Sequence, residues 1–415
     1  MDAEAHIFSA RCDSSAIGTN SLKSRRVALA HDWLTGMRGG EKCLEILCRI
    51  FPDAEIHTLL HRRGSLSQTI ENMRIKTSPL QMIPGIDRHY RHWLPLMPAA
   101  ARTWRVGEVD LVFSLSHCVA KSVRTPADVP HVCYCFTPMR YAWQLRDAYL
   151  DRWSNRPLRR AAAKILLNRL REWDRRTADG VDHFIAISET VRERIATCYG
   201  RTSTLIPPPV DVDFYTPAAV ARENFYLCVS ALVPYKRIER AVEACTRSKR
   251  RLVVIGEGPE RKSLEAIAGP NVSFLGRASD DDIRDHLRRC RALLFPGEED
   301  FGITPIEALA CGAPVIALGK GGVAETVDNR VGRVYADDSI DGLVAAIDAW
   351  EAMGTPHDAV EGRRRAERFS TAHFQERIVD FLDRVTRRPK PTREPLFKGP
   401  ISTRRDRDTK SKSTP

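Results

Sequence analysis

The stretch GEEDFGITPIEALACGAPVIA, residues 297–317, carries Glu299 and Glu307 with seven residues between them. ALLFPG ends a strand, and Thr304-Pro305-Ile306-Glu307 opens a helix. Free amides and the positive dipole end at a helix start make an anion site, and a diphosphate would fit on the amides of Gly302, Ile303 and Thr304. Phe301-Gly302 lets the backbone approach closely, because glycine puts no side chain in the way. Glu307 has a structural explanation too: Thr304-x-x-Glu307 reads as a capping box with proline at the first helical position. That does not account for Glu299, which precedes the helix.

Lys236, in VSALVPYKRIERAVE (229–243), and His117, in SLSHCVAKSV (114–123), carry charge and proton chemistry. A cation offsets charge on a leaving phosphate, and histidine titrates near neutral pH. Each also reads plainly, Lys236 as a solvated residue at a helix start and His117 as a structural histidine at a strand end. Gly39 and Gly40, in GMRGGEK (36–42), lie between strand and helix, where many turns need glycine.

These residues need elements to hold them. Short apolar runs at 26–30, 55–60, 110–115 and 131–136 alternate with helical patterns, as in a parallel sheet covered on both faces. HFIAIS (183–188) and the helix after it open a second set. Three prolines at 207–209 mark an extended connector. Strand and helix patterns restart at 225 and run on to APVIAL (313–318). The expected fold class is α/β, with two facing, doubly wound, Rossmann-like domains and a cleft between them. The expected divisions are a loose leader (1–24), a first domain (25–180), a second domain (181–385) with its connector near 204–217, and a basic disordered tail (386–415).

The length of 415 residues suits two domains. About +7 of the formal +12 charge sits in the tail, which is too poor in apolar residues to offset its ordering entropy. Such a tail serves nucleic acid, anionic lipid or nothing specific. Zinc-finger spacing, RNP motifs and KH loops are lacking, so no specific nucleic acid is expected. Eleven scattered cysteines without a C-x-x-C pair indicate a reducing compartment. No signal-peptide pattern and no membrane-length apolar run is seen. The expected location is cytoplasmic, peripheral at the inner face of the plasma membrane. Residues 86–105 mix arginine, histidine and tryptophan with apolar residues, and 150–176 is basic and amphipathic. Both read as contacts to anionic lipid or as ordinary surface.

The 297–317 segment resembles the signature of the large retaining, GT-B-fold glycosyltransferase family, the GT4-like group. The resemblance spans about residues 25–380. It implies that Glu299 lies near the transferred sugar and that Glu307 hydrogen-bonds the ribose hydroxyls. Lys236 matches the family's phosphate-binding lysine, while Ala231 stands where an arginine is usual. Gly39-Gly40 resembles the loop that approaches the donor diphosphate or the acceptor. HVCYCFTPMRYAW (131–143) resembles a bacterial polysaccharide-assembly subgroup with mannosyltransferase-like members, with Phe136 in place of an expected histidine. His117 is the nearest substitute. The resemblance implies retention of configuration and transfer of a sugar, with mannose from GDP-mannose as the donor expectation, to a lipid-linked or polysaccharide acceptor. No cofactor and no metal are expected; Asp211-Val212-Asp213 falls in the connector. The alternatives are an epimerase or phosphorylase on the same plan, and a catalytically reduced GT-B domain acting as a scaffold in glycan assembly.

Overall fold

The structure, a computed structural model, describes residues 24–151, 155–354 and 357–387. The expected leader up to residue 23 and the basic tail from 388 lie outside the described residues. Two sheets carry the fold. The first holds β1 (Val27–His31), β2 (Glu55–Thr58), β3 (Arg74–Thr77), β4 (Leu111–Ser116), β5 (His131–Cys135), β6 (His183–Ala186) and β7 (Ser203–Leu205), in the order β3-β2-β1-β4-β5-β6-β7. The second holds β8 (Tyr226–Val229), β9 (Leu252–Ile255), β10 (Val272–Gly276), β11 (Ala292–Phe295), β12 (Val315–Leu318) and β13 (Gly332–Tyr335), in the order β10-β9-β8-β11-β12-β13. All pairings are parallel.

The helices that matter below are α1 (Gly39–Ile50), α2 (Pro157–Thr177), α3 (Glu189–Tyr199), α4 (Ile238–Arg247), α5 (Ile303–Ala310) and α6 (Thr371–Arg387). β1, β4 and β5 are buried at every position, as strands covered on both faces must be. α1 buries Cys43, Leu44, Ile46, Leu47 and Ile50, one stripe of a 3.6-residue period. In each sheet the strand order reverses beside the first strand, between β1 and β4 and between β8 and β11. Crevices for ligands open at such points, at the carboxyl ends of the strands.

The domain boundaries differ from the sequence reading. β6 pairs with β5, Val132 opposite His183, and β7 pairs with β6. The first sheet therefore runs to Leu205 rather than ending at 180. The physical reason is that α2 is a crossover between parallel neighbours, so the strand after it returns to the same sheet. Nor is 181–385 one unit. α6 leaves the second sheet and packs on the first: Phe374 lies edge-on to Tyr134, and Arg377 donates to the Leu205 carbonyl at 2.7 Å. The two crossings of the chain bridge each other, with the Val210 amide donating to the Phe369 carbonyl at 2.8 Å.

A buried ion pair fixes α2. The Lys121 ammonium and Asp174 carboxylate are almost fully excluded from water. Asp174 also accepts from the Trp143 indole at 2.8 Å and the Tyr199 hydroxyl at 2.9 Å. Removing one partner leaves a buried charge uncompensated. Asp174→Ala is expected to destabilise the chain by about 3–5 kcal/mol, read from the urea midpoint; a change under about 1 kcal/mol would show that the pair does not hold α2.

Candidate active site

β1 ends at His31, and the next residue, Asp32, is fully buried. Its carboxylate accepts amides from His117 (2.7 Å), Cys118 (2.9 Å), Val119 (2.6 Å) and Ala120 (2.7 Å), and the His117 Nδ1 lies 2.9 Å away. Burial alone would raise the Asp32 pKa. The His117 ring and amide outweigh it and hold the carboxyl at about 2. This clamp sets His117 at the mouth of β4, edge-on to the Trp33 ring at 4.5 Å and 6.3 Å from Phe136. Sequence reasoning missed Asp32. The only local signal was an acid directly after a buried strand.

α1 starts at Gly39 and points its first turn at α5. A Cβ on Gly39 would stand 2.5 Å from Ile303 Cδ1, so a side chain there would have to push the end of Ile303 aside. A Cβ on Gly40 would meet His31 Nε2 and Phe136, each at 3.3 Å. His31 was also missed. It is buried, its Nδ1 donates to the Trp33 carbonyl (3.1 Å) in the neutral ring, and its Nε2 finds no partner among the described residues. Burial lowers its pKa and keeps it neutral.

On the second sheet, α5 begins at Ile303 behind Gly302, whose φ of 92° is a left-handed conformation that glycine supplies. No side chain caps this helix, and Pro305 is its third residue. The expected capping box of Thr304 and Glu307, with proline first, does not form. Glu307 is instead buried, 3.8 Å from the Lys42 ammonium of α1. Burial pushes its pKa up, to about 7, against the pull of Lys42.

Glu299 lies on the loop after β11. Its carbonyl accepts the Gly322 amide at 2.9 Å, and its carboxylate pairs with the Lys236 ammonium. The two residues expected to act together are in direct contact. Arg237, in a left-handed conformation with φ 53°, is committed to Asp338. Ala231 is exposed on the loop after β8. Phe136 packs against Tyr134 (5.4 Å between rings) and His117.

The crevice thus gathers Gly39, Gly40, Gly302, Ile303, Thr304 and Glu307 around two helix starts, one from each sheet, with the Lys236–Glu299 pair on the loops beside α5. His117 and Phe136 line the first-sheet side. Opposed amide-bearing helix starts favour a polyanion. Among the described residues no group of three or more metal-ligating side chains lies together.

Two family models match in tandem: "Glycosyltransferase Family 4" over residues 37–214 and "Glycosyl transferases group 1" over 214–368. The GDP-mannose-dependent alpha-(1-6)-phosphatidylinositol monomannoside mannosyltransferase of Mycobacterium tuberculosis is 31% identical over 205 residues, 42% of this chain and 53% of that relative. The O-antigen chain mannosyltransferase C of Escherichia coli is 29% identical over 170 residues, 38% of this chain and 46% of its own length. The match spans about half the length of these curated relatives. Anabaena HepE in complex with UDP superposes with TM-score 0.62 at 18% identity, covering 86% of this chain and all of that one. Sucrose-phosphate synthase from Thermosynechococcus elongatus gives 0.64 at 16% identity, covering 87% and 99%. At this identity both show the fold, the two-domain GT-B architecture.

The Glu307 carboxyl predicts a pH signature. A raised pKa means the folded state holds a proton that the unfolded state releases, so this site weakens the fold as pH rises from about 4.5 to about 7. Glu307→Gln removes the titration. Relative to the parent, the variant should gain up to about 3 kcal/mol between about pH 4 and about pH 8, measured by urea unfolding without ligand. Parallel stability–pH curves would contradict the burial-driven shift.

Proposed function

The chain belongs to the family 4, group 1 glycosyltransferases, and from that premise we propose that it moves a sugar, mannose foremost, from a nucleotide-diphosphate donor to a lipid-linked or polysaccharide acceptor. One observation carries the reading: the starts of α1 and α5 meet across the crevice beside a paired Lys236 and Glu299. The donor diphosphate seats on the amides of Gly302, Ile303 and Thr304, with Gly39 and Gly40 opposite. Glu307 takes the ribose hydroxyls. It is buried and half protonated near neutral pH, so it can both donate and accept.

Transfer breaks the bond between the sugar C1 and the β-phosphate oxygen, and forms one from the acceptor oxygen to C1 on the same face. The acceptor proton passes to the leaving phosphate. The transition state has oxocarbenium character, and the departing diphosphate gains negative charge. Lys236 and the α5 amides meet that charge, and Glu299 holds the sugar. With cations in these roles the reading needs no divalent metal, and turnover undiminished by EDTA is expected. Mannose from GDP-mannose is supported by the mannosyltransferase relatives. The replacements Ala231 and Phe136 are what a binding-only scaffold reading stands on.

The membrane contact is a proposal of the same kind. α2 buries only Leu167, Leu170 and Asp174, leaving Leu158 and Ile165 exposed among its arginines. Leu96 is exposed on the 86–105 segment. Leu166, Leu167, Leu170 and Trp173 face inward as in an ordinary surface helix, while Leu158 and Ile165 face out with the cations, as at an anionic lipid surface. No described helix is long and apolar enough to cross a membrane. A peripheral position at the inner face of the cytoplasmic membrane fits a lipid-linked acceptor.

Nucleotide release from GDP-mannose with a lipid-linked acceptor should fall about 100-fold or more in Glu299→Ala, with the parent's product retaining its anomeric configuration. An inactive parent would turn the assignment toward a scaffold, and an inverted product would remove the retaining mechanism. Co-sedimentation should rise with anionic lipid in the vesicles; binding indifferent to lipid charge would remove the membrane contact.

A further inference from the structure

Arg140 stands on the loop after β5 and reaches across the crevice to loops of the second sheet. Its guanidinium lies 5.0 Å from the centre of the Tyr235 ring, and the Lys236 ammonium lies 5.6 Å from the same centre. The two cations, one from each sheet, share one aromatic ring. Arg140 is the less committed of the two. Its nearest carboxylate, Asp300, is 3.6 Å away, beyond hydrogen-bonding range, and Asp300 is held by Arg194. The buried Arg140 Nε has no partner among the described residues. A guanidinium carries five donors in a planar fork, and here they are largely unused.

Lys236 pairs with Glu299, and Arg194 spans Glu298 and Asp300, which leaves Arg140 with a 3.6 Å approach to Asp300 and an unpartnered Nε. Arg237 is taken by Asp338, and Ala231 adds no charge on the loop that leads to Lys236. A diphosphate beside Lys236 would leave phosphate oxygens unpaired on the first-sheet side, and a fork matches two such oxygens at once.

We infer that Arg140 is a donor-phosphate ligand, gripping the diphosphate from the first sheet opposite Lys236. The inference rests on the reading of the crevice as a nucleotide-diphosphate sugar site. It makes the phosphate grip a joint property of both sheets.

Calorimetric titration of the full chain with GDP, UDP and the matching monophosphates tests it, on the parent, Arg140→Ala and Arg140→Lys. Arg140→Ala is expected to weaken diphosphate binding about 10- to 100-fold while monophosphate affinity changes by less than about threefold. Arg140→Lys, which keeps the charge without the fork and preserves the ring contact, is expected to show a smaller loss with the same selectivity for diphosphates. An equal loss for mono- and diphosphates would make Arg140 a clasp on Asp300 and overturn the inference. Unchanged affinity in both variants would overturn it as well, while the crevice reading survives. A parent that binds neither GDP nor UDP would overturn the crevice reading and the Arg140 assignment together.

Discussion

The start of α1 comes up to the start of α5 with the Ile303 side chain packed against Gly39, and the two sheets are arranged around that contact. A Cβ at Gly39 would displace the end of the Ile303 side chain. The approach matters because each helix start projects amides without intrahelical acceptors, and two sets facing one gap produce a concentrated positive potential without a mobile charge. The flanking side chains complete what backbone cannot supply: Lys42 reaches from α1 to Glu307 on α5, and Lys236 meets Glu299.

Keeping two sheets in register across a crevice requires ties away from it. The chain crosses twice, and the crossings bridge at Val210 and Ser370. Polar contacts add a second tie at the start of α3. Glu325 accepts the amides of Glu189 (2.8 Å) and Thr190 (2.9 Å), and the Ser188 hydroxyl donates to the Asp300 carbonyl at 2.5 Å. A carboxylate at a helix start is favoured by the dipole. The Ser188 contact runs from the first sheet to the loop that bears Glu299, so the first sheet helps to position that loop.

Much of this was legible from local sequence. The alternation of strands and helices declared two parallel sheets, and 292–310 declared a strand, a glycine-bearing loop and a helix in the right order. What escaped was long-range. Asp32 acts on amides 85 to 88 residues away, and nothing local marks it beyond its position after a strand. The edge strand β3 is largely exposed and polar, so it lacks the apolar signal that revealed its neighbours. β6 was seen as a strand but assigned to the wrong sheet, because pattern gives an element's type and not its partner. The capping box at Thr304 is the instructive miss. The letters fit, but the left-handed Gly302 starts the helix two residues early, and Glu307 lies near Lys42 of α1 instead of capping.

Amide hydrogen exchange, followed by mass spectrometry with and without saturating GDP or UDP, measures the opposed helix starts directly. If one diphosphate is held by both, peptides covering 39–42 and 302–306 slow together on binding. Bound ligand that protects only one of these segments, or neither, would contradict the two-sided grip.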